Sequence, residues 1–582
     1  MHPERTENEN TRAALSRRLL LAFLATLLCY LVFLFFSPLY YSSDSLMAAI
    51  VVDGMFSSDN LSQFQHPILC AAVRLLLPLL PRVDVFTALI HLTVAIGLFS
   101  LVFFLSAPTL NKPFKTRRVD DFIILLILLL GVFFLSAGVN IWNNNYTITA
   151  GAFVFMGLCL TLPGSSSGGV NGARVAGLFL IAMGIMLRRE SALLFLPFII
   201  LDLLVCVAEK PGAWKGAVKG GFPILLVFLV LMGSRAVVYR FEPYATASRY
   251  NAARTAIMDF PMEGTTDVDP VDYRAAIDYW TFADTENMNL EKLEQIAAAG
   301  ARNAYPLTMQ GFWAVLSKIK HDVFHTNLYM SVLVVAAALL LLRNLICCRA
   351  WRRVESVLAP IGALVILIYF TFRGRALMRV WEPVLFATVY ALIRAARSLP
   401  RSSPQRGDGA GKRAPGWRGV ANTIGLLLIA VDLWFSAGQV MAYAQRNTVL
   451  RTTLTARVET DDSEYRDDTL YIWPNWHGTI PRYYEQAGTL PPQKVIDHNI
   501  ALGDWTYGQP YYTEFLARIG AVNPIEKLVD GESLIMGDGI EEYLRLHYGS
   551  DIHLVPTDII IDEKTAYRVE RFTTDEGTAH TS

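Results

Sequence analysis

Charge is what this chain has least of. Only 18% of its 582 residues are Asp, Glu, Lys or Arg, against roughly 25% in a soluble globular protein. That scarcity excludes an ordinary water-soluble domain for most of the length. The 53% of hydrophobic residues point to lipid as the solvent instead. The 51 basic residues are balanced by 51 acidic ones, so no basic excess exists to hold a nucleic acid. Cysteine is scarce too. Of Cys29, Cys70, Cys159, Cys206, Cys347 and Cys348, only Cys70 falls in an outward segment, so no disulfide framework is expected. Cys347 and Cys348, at a cytoplasmic membrane edge, read as inert thiols rather than lipid anchors. The G-x-x-x-x-G-K-[ST] and H-E-x-x-H patterns are missing, and the first of these absences argues against ATP-driven transport by this chain alone. Its histidines and cysteines are scattered. Asp267-Val268-Asp269 is a chance-level D-x-D in a polar loop, so neither a metal nor another cofactor is expected.

Long apolar runs are what it has in plenty. The polar N-terminus ends in Arg17-Arg18. The run behind it is too long for a signal-peptide core and no A-x-A site follows, so it reads as an uncleaved first span with 1–16 as a cytoplasmic tail. Further runs near 84–106, 119–139, 147–163, 172–187, 191–208, 218–238, 327–345, 354–372, 377–397 and 418–440 bring the expected count, with 17–38, to about eleven. Four basic clusters test that count: Lys112 to Arg118, Lys210 to Lys219, Arg343 to Arg353, and Arg394 to Arg418. With the N-terminus inside, all four lie on the cytoplasmic side, as the positive-inside rule requires. Uneven spans and the lack of a fixed internal repeat argue against an inverted-repeat transporter.

This frame makes 17–440 a transmembrane domain with a flexible cytoplasmic linker at 398–417. Three pieces face outward: 39–83, 239–326 and a C-terminal domain, 441–582. In the first, 45–52 and 66–80 read as short helices lying in the membrane interface, the second interrupted by Pro67, Arg74 and Pro78. In the second, 289–304 is helical, and 311–325, with Trp313, Lys318 and Lys320, is an amphipathic helix at the headgroups. The tail alternates strand-like runs (469–473, 553–555, 558–561, 566–569) with helical ones (511–519, 540–546), which predicts a small α/β or α+β fold. The expected fold class is a polytopic α-helical membrane protein carrying that extracytoplasmic domain.

Asp44 follows the first span directly, in Tyr40-Tyr41-Ser42-Ser43-Asp44-Ser45. A carboxylate at a membrane edge is costly and seldom idle. It reads either as a general base or as the N-cap of the helix that follows, and the two roles are compatible. Asp53 is a second carboxylate candidate, its plain alternative being an exposed helix end. Arg188-Arg189-Glu190, between the fifth and sixth spans, places two arginines on the outer side against the usual bias. Arg373, Arg375 and Arg379 form a second outer group. The guanidinium fork suits phosphate; snorkelling to headgroups is the alternative. Glu190 pairs with an arginine or contacts substrate. Trp142 and Asn143, within Asn140 to Tyr146, offer stacking and amide hydrogen bonds to a sugar, or simply belong to an interfacial aromatic belt. Trp473-Pro474-Asn475-Trp476-His477 reads as a strand end with core tryptophans rather than a carbohydrate strip.

The order Asp44, Asp53-Gly54, His66-Pro67-Ile68-Leu69, behind an N-in first span and among interfacial helices, resembles the first outer loop of polyprenyl-phosphate-sugar-dependent glycosyltransferases. These are membrane enzymes of the GT-C fold, including the dolichyl- and undecaprenyl-phosphate mannosyl- and arabinosyltransferase-like families. Asp44-Ser45 stands where those enzymes have Asp-Glu, and Pro67-Ile68 where they have Pro-Pro. The resemblance implies that Asp44 is the base; with a lipid-phosphate donor, the residue types then make Arg188, Arg189, Arg373, Arg375 and Arg379 candidates to hold its phosphate, and His66, Trp142, Asn143 and Glu190 candidates to line the substrate site. It implies a polyprenyl-phosphate sugar donor, a glycan, lipid or protein acceptor outside the cytoplasm, and transfer by inversion. The missing extracytoplasmic disulfides fit a bacterial plasma membrane. Two other readings stay open: a lipid-linked glycan flippase, polymerase or ligase that uses no monosaccharide-phosphate donor, and a scaffold whose tail binds a partner. Asp202 and Asp432, the acids deepest in spans, give the transporter reading thin support.

Overall fold

The computed structural model describes residues 3–36, 43–80, 83–106, 145–161, 172–209, 212, 214–259, 262, 267–279, 281–299, 303–326, 328–375, 377–397, 469–474, 490–503, 505–561 and 564–572. Nine of the eleven expected spans fall on described helices. These helices are α1 (Pro3–Phe36), α4 (Val85–Leu105), α5 (Tyr146–Thr161), α6 (Gly172–Leu187), the broken pair α7 (Arg189–Leu193) and α8 (Leu196–Glu209), α9 (Trp214–Val238), α14 (Leu328–Cys347), α15 (Ala350–Phe372) and α16 (Met378–Arg397). The expected spans at 119–139 and 418–440, Trp142, Asn143, Asp432 and the linker lie outside the described residues. Among the described residues, five segments are long and apolar enough to cross a membrane by length and composition: 13–31, 85–104, 189–209, 220–238 and 350–372. Their outward faces carry exposed Leu20, Phe23 and Leu28 on α1, Phe222 and Leu229 on α9, and Val365 on α15. Such faces suit lipid and are costly in water.

The bundle centre is α5, α6 and α16. Almost every side chain of α5 is buried, so its hydrophobicity runs all round the helix, as a helix enclosed by others requires. Glycines let α5 and α6 touch: a Cβ at Gly157 would meet the Gly177 carbonyl at 2.5 Å, and one at Gly177 the Gly157 carbonyl at 2.6 Å. Gly151 packs likewise on Pro383 of α16. Backbones that approach this closely gain van der Waals contact without needing a hydrophobic drive.

At one end of α8, α15 and α16 a buried ion cluster ties the three helices together. Arg352 pairs with Asp202 at 2.7 Å, Glu209 at 2.9 Å and Glu355 at 2.6 Å, and Arg394 reaches Asp202 at 2.9 Å. Asp202, read from sequence as one of the acids deepest in a span, is thus the hub of an interhelical clamp, which is how buried charges are retained.

The opposite end carries the loops. The first loop contains α2 (Ser43–Val52), α3 (Pro67–Leu76) and a 3-10 turn, Leu77–Leu79. Both expected helices are present, but α2 does not lie on an interface: Leu46 through Val52 are all buried, at 3% exposure or less. An apolar run of this length serves protein contact as well as lipid contact. The second loop holds α10 (Tyr244–Met258), α11 (Pro270–Asp278), α12 (Leu290–Ala298) and α13 (Met309–His321). Two of these four, α10 and α11, lack an apolar stripe strong enough to announce them. Asp269, half of the D-x-D, caps α11 by accepting from the Val271 amide at 2.8 Å.

The tail forms a five-stranded sheet of order β2-β1-β3-β5-β4. Its strands are β1 (Leu470–Trp473), β2 (Asn499–Ala501), β3 (Ser533–Met536), β4 (Ile552–Ile561) and β5 (Lys564–Arg571). β1 pairs in parallel with β2 and β3, and β5 antiparallel with β3 and β4. The helices are α17 (Gln493–His498), α18 (Pro510–Arg518), α19 (Pro524–Val529) and α20 (Glu541–Tyr548). The two expected strands at 553–555 and 558–561 are one strand with an irregular register between Pro556 and Ile560. Trp473 is a core residue, fully buried, its indole N–H donating to Asn499 at 2.8 Å.

This sheet unit sits on both loops. Phe56 packs among Tyr511, Tyr512 and Phe515 of α18. Asp284 accepts from the hydroxyls of Tyr543 and Tyr548 at 2.8 and 2.9 Å, and Asp272 meets His547 at 2.6 Å.

Candidate functional site

The site begins with a break. α6 ends at Leu187 and α7 starts at Arg189, while Arg188 between them is extended, with φ −158° and ψ 101°. A helix continuing straight through would send consecutive side chains round the cylinder. The extended residue instead holds Arg188 against the first loop. Its guanidinium lies over the Phe64 ring, 4.4 Å from the centroid, and 5.8 Å from that of Tyr146. Glu190 meets both neighbours: Arg188 Nε at 3.0 Å and Arg189 Nε at 2.7 Å. Arg188 is the more covered of the two, with 19% of its side chain exposed against 40% for Arg189. Its Nη1 is buried and has no hydrogen-bond partner among the described residues. A buried guanidinium N–H without an acceptor is costly, and an anion placed there relieves that cost.

Other arginines converge on this point from far along the chain. Arg375, between α15 and α16, pairs with Asp259 at 2.8 Å. Burial holds its guanidinium below the ordinary arginine value. Asp259 opposes that shift, while Arg379, Arg188 and Arg254 add to it, so all three lie within electrostatic reach of Arg375. Arg254 of α10 is buried and held by Asn251 and Thr255, each at 2.9 Å. Arg235, near the end of α9, is buried. It donates to the Gln65 carbonyl at 3.0 Å and to the Gln63 carbonyl, and stacks on Tyr239. These arginines outnumber Glu190 and Asp259, so the local field is positive. Two further buried donors have no partner among the described residues: Gln65 Nε2 in the first loop and Trp381 Nε1 two residues after Arg379. Buried N–H groups and guanidiniums gathered at this end of the bundle suit an oxyanion with several oxygens.

The residues proposed from sequence fall out unevenly against this site. Arg188, Arg189, Glu190, Arg375 and Arg379 come together. Arg373 caps α15 and lies 3.4 Å from the Asn303 side-chain oxygen. Asp44 occupies the first turn of α2; its side chain lies outside the described residues. Asp53 is not at an exposed helix end. It is 7% exposed, and its two oxygens accept from the Val85 and Phe86 amides, each at 2.9 Å, fixing the start of α4 from 32 residues away. His66 is the N-cap of α3: its Nδ1 accepts from the Ile68 amide at 3.1 Å, and its Nε2 lies 2.8 Å from the Leu231 carbonyl and 3.2 Å from Ser234 Oγ. Burial holds its imidazole below the usual histidine value, so the ring is neutral and acts as a bolt between α3 and α9. Sequence reasoning missed Arg235, Gln65 and Trp381 and gave Arg254 no role. Arg235 carried one usable signal, a cation near the end of an apolar run on the side where cations are rare.

No protein-family model and no curated protein matches this chain. Two solved structures are similar to it, both of ArnT from Cupriavidus metallidurans. One, bound to undecaprenyl phosphate, matches at 11% identity with a TM-score of 0.44. The other, in the apo state, matches at 12% identity with a TM-score of 0.45. In each case the match covers 94% of this chain and 97% of that one.

Proposed function

We propose that this protein is an integral membrane glycosyltransferase of the GT-C type. It moves a sugar from a polyprenyl-phosphate donor to an acceptor hydroxyl on a glycan, lipid or protein at the extracytoplasmic face. The observation that carries the reading is the convergence of Arg188, Arg254, Arg375 and Arg379 on one end of an apolar bundle, with the buried Arg188 Nη1 lacking an acceptor. A phosphate on a lipid tail needs that combination: guanidiniums at the depth of the headgroups and apolar walls below them.

The chemistry follows from charge. In the donor, the phosphodiester bears one negative charge. As the bond from the anomeric carbon to the phosphate oxygen breaks, the leaving polyprenyl phosphate gains a second. Arginines already in place stabilise the charge as it develops, so the leaving group departs unprotonated. The acceptor oxygen attacks from the opposite face, and its proton passes to Asp44 as general base. One displacement inverts the anomeric carbon. Trp142, Asn143 and Glu190 are assigned to the surrounding substrate site, Glu190 acting through Arg188 and Arg189, while His66 supports the first loop from behind. The topology is N-terminus in, about eleven spans, with the C-terminal sheet outside a bacterial plasma membrane.

The test is transfer from a panel of labelled polyprenyl-phosphate sugars by the purified full-length protein. One member of the panel supports turnover, and Asp44→Asn lowers that turnover about 10²–10⁴-fold while donor binding persists. Turnover by Asp44→Asn at the wild-type rate removes the assignment of the base. Activity only with an oligosaccharide on a pyrophosphate lipid favours the ligase or polymerase reading instead.

A further inference from the structure

Phe64 is gripped from both sides. Arg188 covers its face at 4.4 Å, and Trp505, from the C-terminal sheet unit, packs against it edge-on with centroids 5.1 Å apart. Trp505 is buried, at 3% exposure, in the turn that joins β2 to α18. Four residues on, Gln509 is fully buried and donates to the Gln63 side chain at 2.6 Å and to the Ala247 carbonyl of α10 at 3.3 Å. Between them, Gly508 has φ +71°, and a Cβ there would collide with the Tyr250 ring. This turn is therefore wedged between α10 and residues 63–64 of the first loop, so the position of the Phe64 ring depends on a segment more than 400 residues distant.

We infer that Trp505 and Gln509 are positioning residues for Arg188. They fix the ring on which its guanidinium plane rests, and so the direction of its unpartnered Nη1. The sheet unit is then a structural part of the anion site rather than a separate recognition module. The inference rests on the proposal that Arg188 holds the donor phosphate.

Donor KM and kcat are measured on full-length Arg188→Ala, Phe64→Leu, Trp505→Ala, Trp505→Phe and the double variant Trp505→Ala/Arg188→Ala. Phe64→Leu removes the ring face while leaving the space filled. Loss of a cation–π seat of this kind changes affinity about three- to thirtyfold. The expected result is a donor kcat/KM lowered by that factor in Phe64→Leu and Trp505→Ala, near wild-type kcat/KM in Trp505→Phe, and no further loss when Trp505→Ala is added to Arg188→Ala. If Arg188→Ala leaves donor kcat/KM unchanged, the phosphate assignment of Arg188 is wrong. If Arg188→Ala lowers it and Phe64→Leu does not, the assignment stands and the positioning inference fails. Should Trp505→Ala not fold, Phe64→Leu decides, since it removes the ring shared by Arg188 and Trp505 without opening the core of the sheet unit.

Discussion

Replacing Asp53 by alanine separates the two carboxylates of the first loop. Both oxygens of Asp53 accept backbone N–H groups at the start of α4, and the residue is buried. Losing a helix cap costs about 0.5–2 kcal/mol. Each buried amide left without an acceptor adds roughly 1–3 kcal/mol. Relief of the crowding against Asp84, a second carboxylate beside it, returns part of this. The net expectation is a destabilisation of about 2–4 kcal/mol, with turnover per folded molecule unchanged. The pH dependence has a definite sign. Burial first, and Asp84 second, push the Asp53 carboxyl up from its ordinary 3.8 to about 8. The folded state therefore keeps a proton that the unfolded state gives up above 3.8, and the protein binds more protons folded than unfolded across that window. Stability from this group is whole below 3.8 and is lost as pH rises through about 8. The gap between wild type and Asp53→Ala thus narrows from about pH 4 to about pH 8. Thermal unfolding of the detergent-solubilised protein at several pH values, followed by transfer activity on the folded fraction, measures both quantities. A stable Asp53→Ala protein with turnover lost would refute the structural role and make Asp53 the base.

Arg375→Ala should lower kcat/KM for the donor about 10–100-fold, since a hydrogen bond to a charged group contributes roughly 1.5–3 kcal/mol. Arg375→Lys should recover only part of this, because the ammonium cannot reproduce the fork. Steady-state kinetics decide, and full activity of Arg375→Ala would detach that residue from the site. Asp202→Ala removes the carboxylate that Arg352 and Arg394 share and should destabilise the bundle by about 3–5 kcal/mol; an unchanged melting temperature would mean that the clamp is not formed. Gly177→Leu drives a side chain into the Gly157 carbonyl and should abolish folded protein on size-exclusion chromatography, whereas Gly212→Ala, in open space, should not.

What could be read from the sequence is what depends on neighbours in the chain. Spans are runs of apolar residues long enough for a bilayer, and the helix of 66–80 shows as an apolar run, although Pro67, which reads as an interruption, is in the fold its first residue behind the His66 cap. The strands at 499–501 and 533–536 escaped because three or four residues carry too little period, and their pairing partners lie 28 to 63 residues away. The burial of α2 escaped for another reason. Leu46 to Val52 suits lipid and protein equally, and only the fold decides which covers it. The site was legible in half. The Arg188-Arg189 doublet stood out because it broke the charge rule. Its convergence with Arg254 and Arg375 could not be seen, since those residues are 66 and 187 positions further along and meet only when three loops fold together.

That division has a consequence for the mechanism. The arginines most exposed to view in the sequence include Arg189 and Arg373; Arg189 shares Glu190 with Arg188 but is the more solvent-exposed of the two, and Arg373 lies against Asn303. Arg188, the same motif's other half, is the one whose Nη1 is buried without an acceptor, because an extended residue, a phenylalanine and a distant tryptophan hold it there. A cation kept ready by packing pays little reorganisation when charge appears on a leaving phosphate, whereas a solvated one must first be desolvated and aligned. Arg188→Ala should therefore reduce kcat/KM more than Arg189→Ala does, although both remove one charge from adjacent positions. Measured together at low and high salt, the Arg189→Ala deficit should shrink with ionic strength and the Arg188→Ala deficit should not. Equal, equally screened losses would mean that the pair acts only through long-range field, and the covered guanidinium would have no special part in transfer.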